Sequence, residues 1–528
     1  MASEEKKVFI RNATGLTREL SLFDSVVFNL SVSAPGFGIL LYTYFGYPSF
    51  AGTNLILAAL AVVPILILHA FVSGQMMSAM PRSGFDYVFV SRVTRPVIGF
   101  SNSFTFFFFQ ALFMGVFFVF MNQYISSFFS TLGLITGNTS YSSIATSLTQ
   151  PTNVAIIGTA ILLVIVGIML AGLRIGKRAI IITQMIGWLG LITALVILAA
   201  NNQSTFATAW NKYDGAELIY SNVTTAAQAA GLTTSNSSGT FLAAGFFTIF
   251  SVLGYQSVGY LGGEVKKSGT NIIKSMILAV LITILVLVAA LVVIQSTMGY
   301  DFLTGAGLLS ILGKISVAPY YIVAAAMLYP NPAIVLLMYL SIWMWLFVTI
   351  AAIFLLLSRM IFAWSFDGVI PTFFSDVSTR FKTPTWSVVG IGVLIEIGIF
   401  LALYSQFTIL INLGLVLLAT YSVNTLTSAL FPYLKPAIFN TSPPIVNYKI
   451  GGKIPLITVT GGLTTLLFLI LIYEIIENPA ITGTITPQVA GGIAIVAIIG
   501  AAIFYIARAY KKSRGINLDY VFAEIPPE

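Results

Sequence analysis

Apolar runs long enough to cross a bilayer recur along this chain, near 21–46, 54–80, 97–135, 153–172, 178–200, 241–263, 271–296, 333–360, 386–404, 408–434, 455–473 and 486–508. About 20 apolar residues in a helix span the roughly 30 Å of hydrocarbon, so twelve membrane helices are predicted. The third run is too long for one perpendicular span and should tilt or project beyond the bilayer. Between 298 and 332 two shorter apolar stretches, Leu308–Leu312 and Tyr320–Leu328, predict small helices that serve either as a lid or as loop packing.

Two of the long runs carry faults. In the first, Ser31-Val32-Ser33-Ala34-Pro35-Gly36-Phe37-Gly38-Ile39 places a proline between small residues. Pro35 lacks an amide hydrogen and clashes with the carbonyl four residues back, the glycines weaken the helix, and Ala34 is pushed toward an extended backbone. Two half-helices joined by an unwound segment follow. In hydrocarbon, unpaired backbone groups cost several kcal/mol each unless the break lies in protein or lines a wet cavity. Amides near Gly36, Phe37 and Gly38 would suit an anion, and carbonyls near Ser31 to Ser33 a cation. A zwitterionic amino acid carries both charges; a proline kink that only shapes packing is the other reading. The sixth run has its own fault, Phe250-Ser251-Val252-Leu253-Gly254-Tyr255-Gln256-Ser257-Val258-Gly259. It opens the second half of the chain as the Pro35 helix opens the first. Spans 1–5 and 6–10 then form two repeats of similar length, inverted because each holds an odd number of helices, as in transporters with paired interrupted spans.

Charge fixes the expected orientation. With the amino terminus inside, every one of the 25 basic residues except Lys212 and Lys314 falls in an inner segment, as the positive-inside rule requires. The predicted divisions are an inner segment 1–20, a first repeat 21–200, an outer loop 201–240, a second repeat 241–434, two further helices in 435–508 and an inner tail 509–528. Met1 to Arg18 is polar and mixed in charge, so no cleaved signal is expected. The net charge of +8 reflects this topology and anionic inner-leaflet lipid, with no nucleic acid implied.

Composition narrows the chemistry. The 528 residues are 58% hydrophobic and 8% charged, against roughly a quarter charged in soluble proteins. The absence of cysteine excludes disulfides, thiolate metal sites and cysteine catalysis, and no catalytic or metal-binding constellation is visible. The outer loops carry sequons at Asn138, Asn202, Asn222 and Asn236, where glycosylation is expected. Lack of cysteine with sugar-acceptor loops fits an archaeal source.

Several motifs then carry a resemblance. Gly36-Phe37-Gly38-Ile39, Met80-Pro81-Arg82-Ser83-Gly84-Phe85-Asp86-Tyr87-Val88, Gly263-Glu264-Val265-Lys266-Lys267, and Ser358-Arg359-Met360 running into Phe366-Asp367-Gly368-Val369-Ile370-Pro371 occur in order at the matching loops, followed by Lys382-Thr383-Pro384. Over nearly its whole length the chain resembles the amino acid, polyamine and organocation transporters. The resemblance implies an all-α membrane fold of LeuT type, a five-plus-five inverted repeat with helices 1 and 6 broken plus two C-terminal helices, and secondary transport of amino acids or amines. There are departures. Phe37 stands where many relatives have a hydroxyl residue, Gln256 where relatives often have an acid, and no basic residue lies inside the fifth span.

The expected substrate site is Ser31, Ser33, Ala34, Gly36, Phe37 and Gly38 with Phe250, Leu253, Gly254, Tyr255 and Gln256, Tyr255 covering the bound molecule. Glu264 is expected to pair with an inner basic residue in a gate. Thr349 is a candidate to complete a sodium site with carbonyls of the first break; capping its own helix is the other use. Glu396 is either a proton carrier or a hydrogen-bonded structural acid. His69 reads as a packing residue rather than a pH sensor, and Trp343 and Trp345 as packing or interface anchors. With no ionised carboxylate in the expected pocket, a neutral amino acid is favoured over cationic substrates. The expected function is therefore alternating-access transport of a neutral amino acid across the plasma membrane, with both termini cytoplasmic, no cofactor, and a proton or sodium ion as the candidate coupling ion. A sensor of the same fold and an amine or organic cation carrier are the alternatives. Oligomeric state is not legible.

Overall fold

The computed structural model describes residues 18–213, 218–378, 383–405 and 412–525, and of residues 250–252 the backbone alone. Eleven stretches of helix within these residues are long and apolar enough to cross a membrane. They are the interrupted span Leu22–Ser49, then Leu55–Ala79, Pro96–Thr136, Pro151–Leu170, Leu173–Ala199, Ser268–Met298, Pro332–Phe366, Thr385–Tyr404, Leu413–Leu434, Leu456–Glu477 and Pro487–Ser513. The expected sixth span is shorter in its helical part: a helix covers Ser238–Val252, and the chain continues as a turn and two single 3-10 turns, Ser257–Tyr260 and Gly262–Glu264.

We label the elements used below in chain order: α1 Leu22–Ser33, α2 Pro35–Leu41, α3 Leu55–Ala79, α4 Phe85–Val93, α5 Pro96–Thr136, α6 Pro151–Leu170, α7 Leu173–Ala199, α8 Ser238–Val252, α9 Ser268–Met298, α10 Pro332–Phe366, α11 Thr385–Tyr404, α12 Leu413–Leu434, α13 Leu456–Glu477, α14 Pro487–Ser513 and α15 Leu518–Ala523. Their starts are set locally. Ser21 caps α1 in a reciprocal box with Asp24, its hydroxyl accepting from the Asp24 amide while the Asp24 carboxylate accepts from the Ser21 amide. Pro96, Pro151, Pro332 and Pro487 each open a span at its first position, where the missing amide hydrogen would have had no partner anyway. The 41 residues of α5 run about 60 Å at 1.5 Å per residue, roughly twice the hydrocarbon thickness, so this helix projects well beyond it.

At the centre lie α1, α2 and α10, with four-fifths or so of their apolar window buried; α6, α7, α13 and α14 form the rim and present Ile156, Leu163, Met185, Ile498 and similar side chains outward. Residues 18–21 and α15 mark one end of the bundle. Leu20 pairs with Val265 through a backbone bridge, and α15 packs on α4. At the opposite end the stretch between α9 and α10 forms helices Tyr300–Ile311, longer than the apolar run there suggested, and Tyr321–Leu328, which matches its run to within a residue. Tyr320 seats its ring against Tyr44 and Tyr124 there. Asn138, Asn202, Asn222 and Asn236 are all exposed.

Where α5 crosses α11 the two backbones nearly touch. A β-carbon added at Gly115 would lie 2.1 Å from the Gly398 carbonyl carbon, a contact no side chain can relieve. Gly115→Ala is expected to lower the thermal midpoint of the detergent-solubilised protein by several degrees, consistent with about 1–3 kcal/mol for overpacking. Gly167→Ala, with nothing within 4 Å, leaves the midpoint unchanged or raises it, and scanning fluorimetry of the two variants side by side checks the contrast.

Candidate functional site

The chain between α1 and α2 turns on one residue. Ala34 has φ 42° and ψ 64°, a left-handed conformation uncommon for a residue with a β-carbon. Its amide donates to the Leu30 carbonyl at 2.9 Å and its carbonyl accepts from the Gly38 amide at 2.9 Å. An alanine at the start of α2 offers no side-chain acceptor, so the first-turn amides of Gly36 and Phe37 have no partner within the helix. On the other side of the turn, the Ser31 carbonyl accepts from the Thr349 hydroxyl at 2.8 Å. The Ser33 hydroxyl is buried without a partner.

The sixth segment packs its own turn against this one. Gly254 has φ 120°, and a β-carbon there would lie 2.7 Å from the Val32 carbonyl carbon. Both the torsion and the space demand glycine. Asn29 then ties the segment to α1, its side-chain oxygen accepting from the Val258 amide at 2.8 Å. Gly36 is fixed differently: the Trp345 indole lies over it, and a β-carbon would come within 2.4 Å of the ring.

Where the two turns meet, a cavity of about 310 Å³ opens, at the lower end of the range for small-molecule sites. Ser33, Ala34, Phe37 and Gly38 line it from the first turn and Leu253, Gly254 and Ser257 from the second. One face of α5, Phe106, Gln110, Phe113, Phe117 and Phe120, forms a long wall, and Thr349 with Leu413, Gly414, Leu417 and Tyr421 of α12 completes it. Asn412 and Thr482 stand at the rim, the Asn412 amide donating to Thr482 at 3.0 Å. No charged side chain is among the lining residues.

The structure redistributes the residues singled out from sequence. Ser31 and Gly36 lie just behind the surface: the Ser31 hydroxyl donates to the Val27 carbonyl at 2.8 Å, and Gly36 sits beneath Trp345. Tyr255 does not line the cavity. The backbone turn at Gly254 swings it to the far side, where its hydroxyl meets His69 Nδ1 at 2.7 Å and its ring packs edge-on to the same imidazole. Gln256 is likewise behind the wall, its amide donating to the Tyr421 hydroxyl, and it touches the cavity only through that tyrosine. The Phe250 side chain lies outside the described residues. His69 is 2% exposed and encased by Tyr255, Tyr421 and Phe468. Glu396 accepts from Thr159 at 2.7 Å between α6 and α11, remote from the lining. Trp345 is fully buried against Trp188.

Toward the end that carries α15 lie two buried ion pairs. Arg359 Nε meets Glu264 Oε1 at 2.6 Å and its Nη2 meets Oε2 at 3.2 Å, both side chains almost without exposure. A second buried pair, Arg92 with Asp367 at 2.7 Å, joins α4 to the end of α10, and the Phe522 ring of α15 covers the Arg92 guanidinium 4.9 Å away. Breaking a buried pair by removing one partner costs about 3–5 kcal/mol, so these pairs tie the elements at this end together.

Sequence reasoning missed the α5 wall, the rim and one acid. The 4-3-4-3 spacing of Phe106, Gln110, Phe113, Phe117 and Phe120 places them on one helical face, yet the run Phe104 to Phe109 makes every face of α5 look aromatic. Asp86 escaped because it stands in a polar connection. It is fully buried, with Tyr260 and Tyr421 facing it. It accepts from the Tyr87 amide at 2.9 Å and from Asn424 at 3.4 Å, and no basic residue pairs with it among the described residues.

This polytopic helical bundle is consistent with an all-α membrane protein of the amino acid, polyamine and organocation transporter type. The family model for amino acid permeases matches residues 20–509, and the chain belongs to that family. No curated protein sequence matches it. The family points to a transporter of amino acids in the membrane rather than to an enzyme.

Burial pushes the Asp86 carboxyl from its ordinary 3.8 up to about 6, against the opposing hydrogen bond from the Tyr87 amide. A folded chain thus keeps a proton that the unfolded chain has released between about pH 4 and 6, and stability falls as pH rises through that window before levelling. Asp86→Asn, which still accepts from Tyr87, is expected to remove this slope and to raise the thermal midpoint near neutral pH by a few degrees, about 3 kcal/mol at most. Thermal scans of both proteins across that pH range test it.

Proposed function

We propose that this protein moves neutral amino acids across the plasma membrane by alternating access, with both termini on the cytoplasmic side. The observation that carries the reading is the cavity at the two turns, where unpartnered amides and a helix carbonyl end lie side by side without a charged side chain. The substrate carboxylate sits on the amides of Gly36 and Phe37, favoured by the positive end of α2. Its ammonium lies against the last carbonyls of α1, at Val32 and Ser33, and the carbonyl of Leu253. A second positive charge has no counter-ion in the lining, which disfavours lysine, arginine and polyamines. Ser31, Tyr255 and Gln256 then support the site from behind.

The closed end with its Glu264–Arg359 and Arg92–Asp367 pairs is the cytoplasmic gate, and the rim at Asn412 and Thr482 faces outward. Release inward requires the segment from Ser257 to Glu264 to part from α4 and α10. The Gly84 amide hydrogen bond to the Tyr260 carbonyl and the Glu264 pair are what must break. Thr349 acts here as a tie between α10 and the end of α1, and Glu396 as a hydrogen-bonded structural acid. The sequons at Asn138, Asn202, Asn222 and Asn236 lie on the outer side.

Counterflow in proteoliposomes tests the reading without knowledge of any coupling ion. Vesicles loaded with an unlabelled neutral amino acid are expected to accumulate the same labelled compound transiently, while lysine- or glutamate-loaded vesicles do not. Gly36→Ala, which forces Trp345 off the turn, is expected to reduce the initial rate at least about tenfold, a loss in keeping with displacement of a bound substrate by about 1 Å. Absence of counterflow with every neutral amino acid, from protein shown to be folded, would refute the reading.

A further inference from the structure

The cavity is asymmetric in a way that bears on which neutral amino acid it takes. Several of its polar groups are already engaged: Thr349 on the Ser31 carbonyl, Tyr421 with Gln256, Asn412 with Thr482. The unpartnered Ser33 hydroxyl lies on the α1–α2 turn itself, where the backbone of a substrate is held. Beyond the turn the α5 wall is mostly hydrocarbon, four phenylalanines with the Gln110 amide among them. Phe37 stands on the first turn of α2, within one residue of the amide pair, and its ring meets Phe117 edge-on at 5.7 Å and Phe120 at 5.9 Å. Phe113 in turn meets Phe117 edge-on at 5.4 Å. These α5 rings are half-buried, and they line the cavity beside Ile353 and Leu417.

We infer that the transported substrate is an amino acid with a large apolar side chain, aromatic above all, whose ring packs among Phe37, Phe113 and Phe117. This rests on the reading that the cavity is the amino acid site. Edge-to-face ring pairs leave ring faces and edges open to a further aromatic group at the preferred spacing. A phenylalanine or tryptophan side chain covers this apolar surface and displaces the water that would otherwise stand against it. Glycine, alanine and serine leave the rings wet, and a polar side chain loses its hydration for few partners. Each methylene lost from an apolar pocket changes recognition by about 10- to 200-fold, so the difference between phenylalanine and alanine is expected to be at least tenfold in this cavity.

The experiment is counterflow with two tracers, labelled phenylalanine and labelled alanine, each challenged with glycine, alanine, serine, leucine, phenylalanine and tryptophan. The expected result is that phenylalanine, tryptophan and leucine compete at least about tenfold more effectively than alanine, and that Phe117→Ala collapses the phenylalanine-to-alanine ratio toward one. That ratio does not depend on how much protein is folded. Should the variant fail to fold, the wild-type series decides alone. Intact counterflow with alanine or serine preferred would overturn the inference and leave neutral amino acid transport standing. Loss of counterflow with all six compounds would overturn both.

Discussion

The structure depends on one close approach of backbone to backbone, the turn at Gly254 resting on the end of α1 at Val32 and Ser33. Neither interrupted helix can bury its break alone. An isolated break in hydrocarbon leaves amides and carbonyls without partners, and here each turn covers part of the other. Asn29 supplies a further tie to the Val258 amide, and Thr349 of α10 reaches the Ser31 carbonyl. Of what remains uncovered, Val32 and Ser33 at the end of α1 and Phe37 at the start of α2 line the cavity. The proposed binding site is thus the part of the backbone that the packing leaves unsatisfied.

Charge is placed by the same economy. The cavity has none in its lining, and the buried charges gather instead at the end that carries α15, as Glu264–Arg359 and Arg92–Asp367. A buried pair seldom adds stability over an apolar contact of the same shape, but it is expensive to separate by halves. Two such pairs tie α4 and the Gly262–Glu264 turn to α10. The Phe522 ring over Arg92 ties the last described helix to the same end.

Much of this was legible in the sequence. Span positions follow from local transfer energy, which a run of apolar residues reports directly, and the place of the break follows from proline's own geometry. Ala34, however, takes a left-handed rather than the expected extended backbone, so the interruption is one residue rather than an unwound segment. The Glu264 pairing was readable because an acid at the end of a membrane segment needs a cation. Sidedness was not. Whether Tyr255 and Gln256 face the cavity or the packing behind it is decided by the torsion at Gly254, and a glycine permits either. The wall on α5 was hidden by excess, since phenylalanines occupy several faces of that helix and the choice of face is made by its neighbours. Asp86 lay in a segment read as an inner connection, and only the tertiary fold carries it into the interior.

The central claim, that a substrate amino acid occupies the turn between α1 and α2, is tested most directly by protection of a single thiol. The chain has no cysteine, and the Ser33 hydroxyl makes no hydrogen bond that a substitution would break, so Ser33→Cys introduces one reactive group at the heart of the site. Labelling by a membrane-impermeant maleimide from the outer side, followed with increasing concentrations of neutral amino acid, is the measurement. The account predicts labelling that a transported amino acid suppresses in a saturable way and lysine does not. Labelling indifferent to every amino acid, in a variant that still catalyses counterflow, would contradict it.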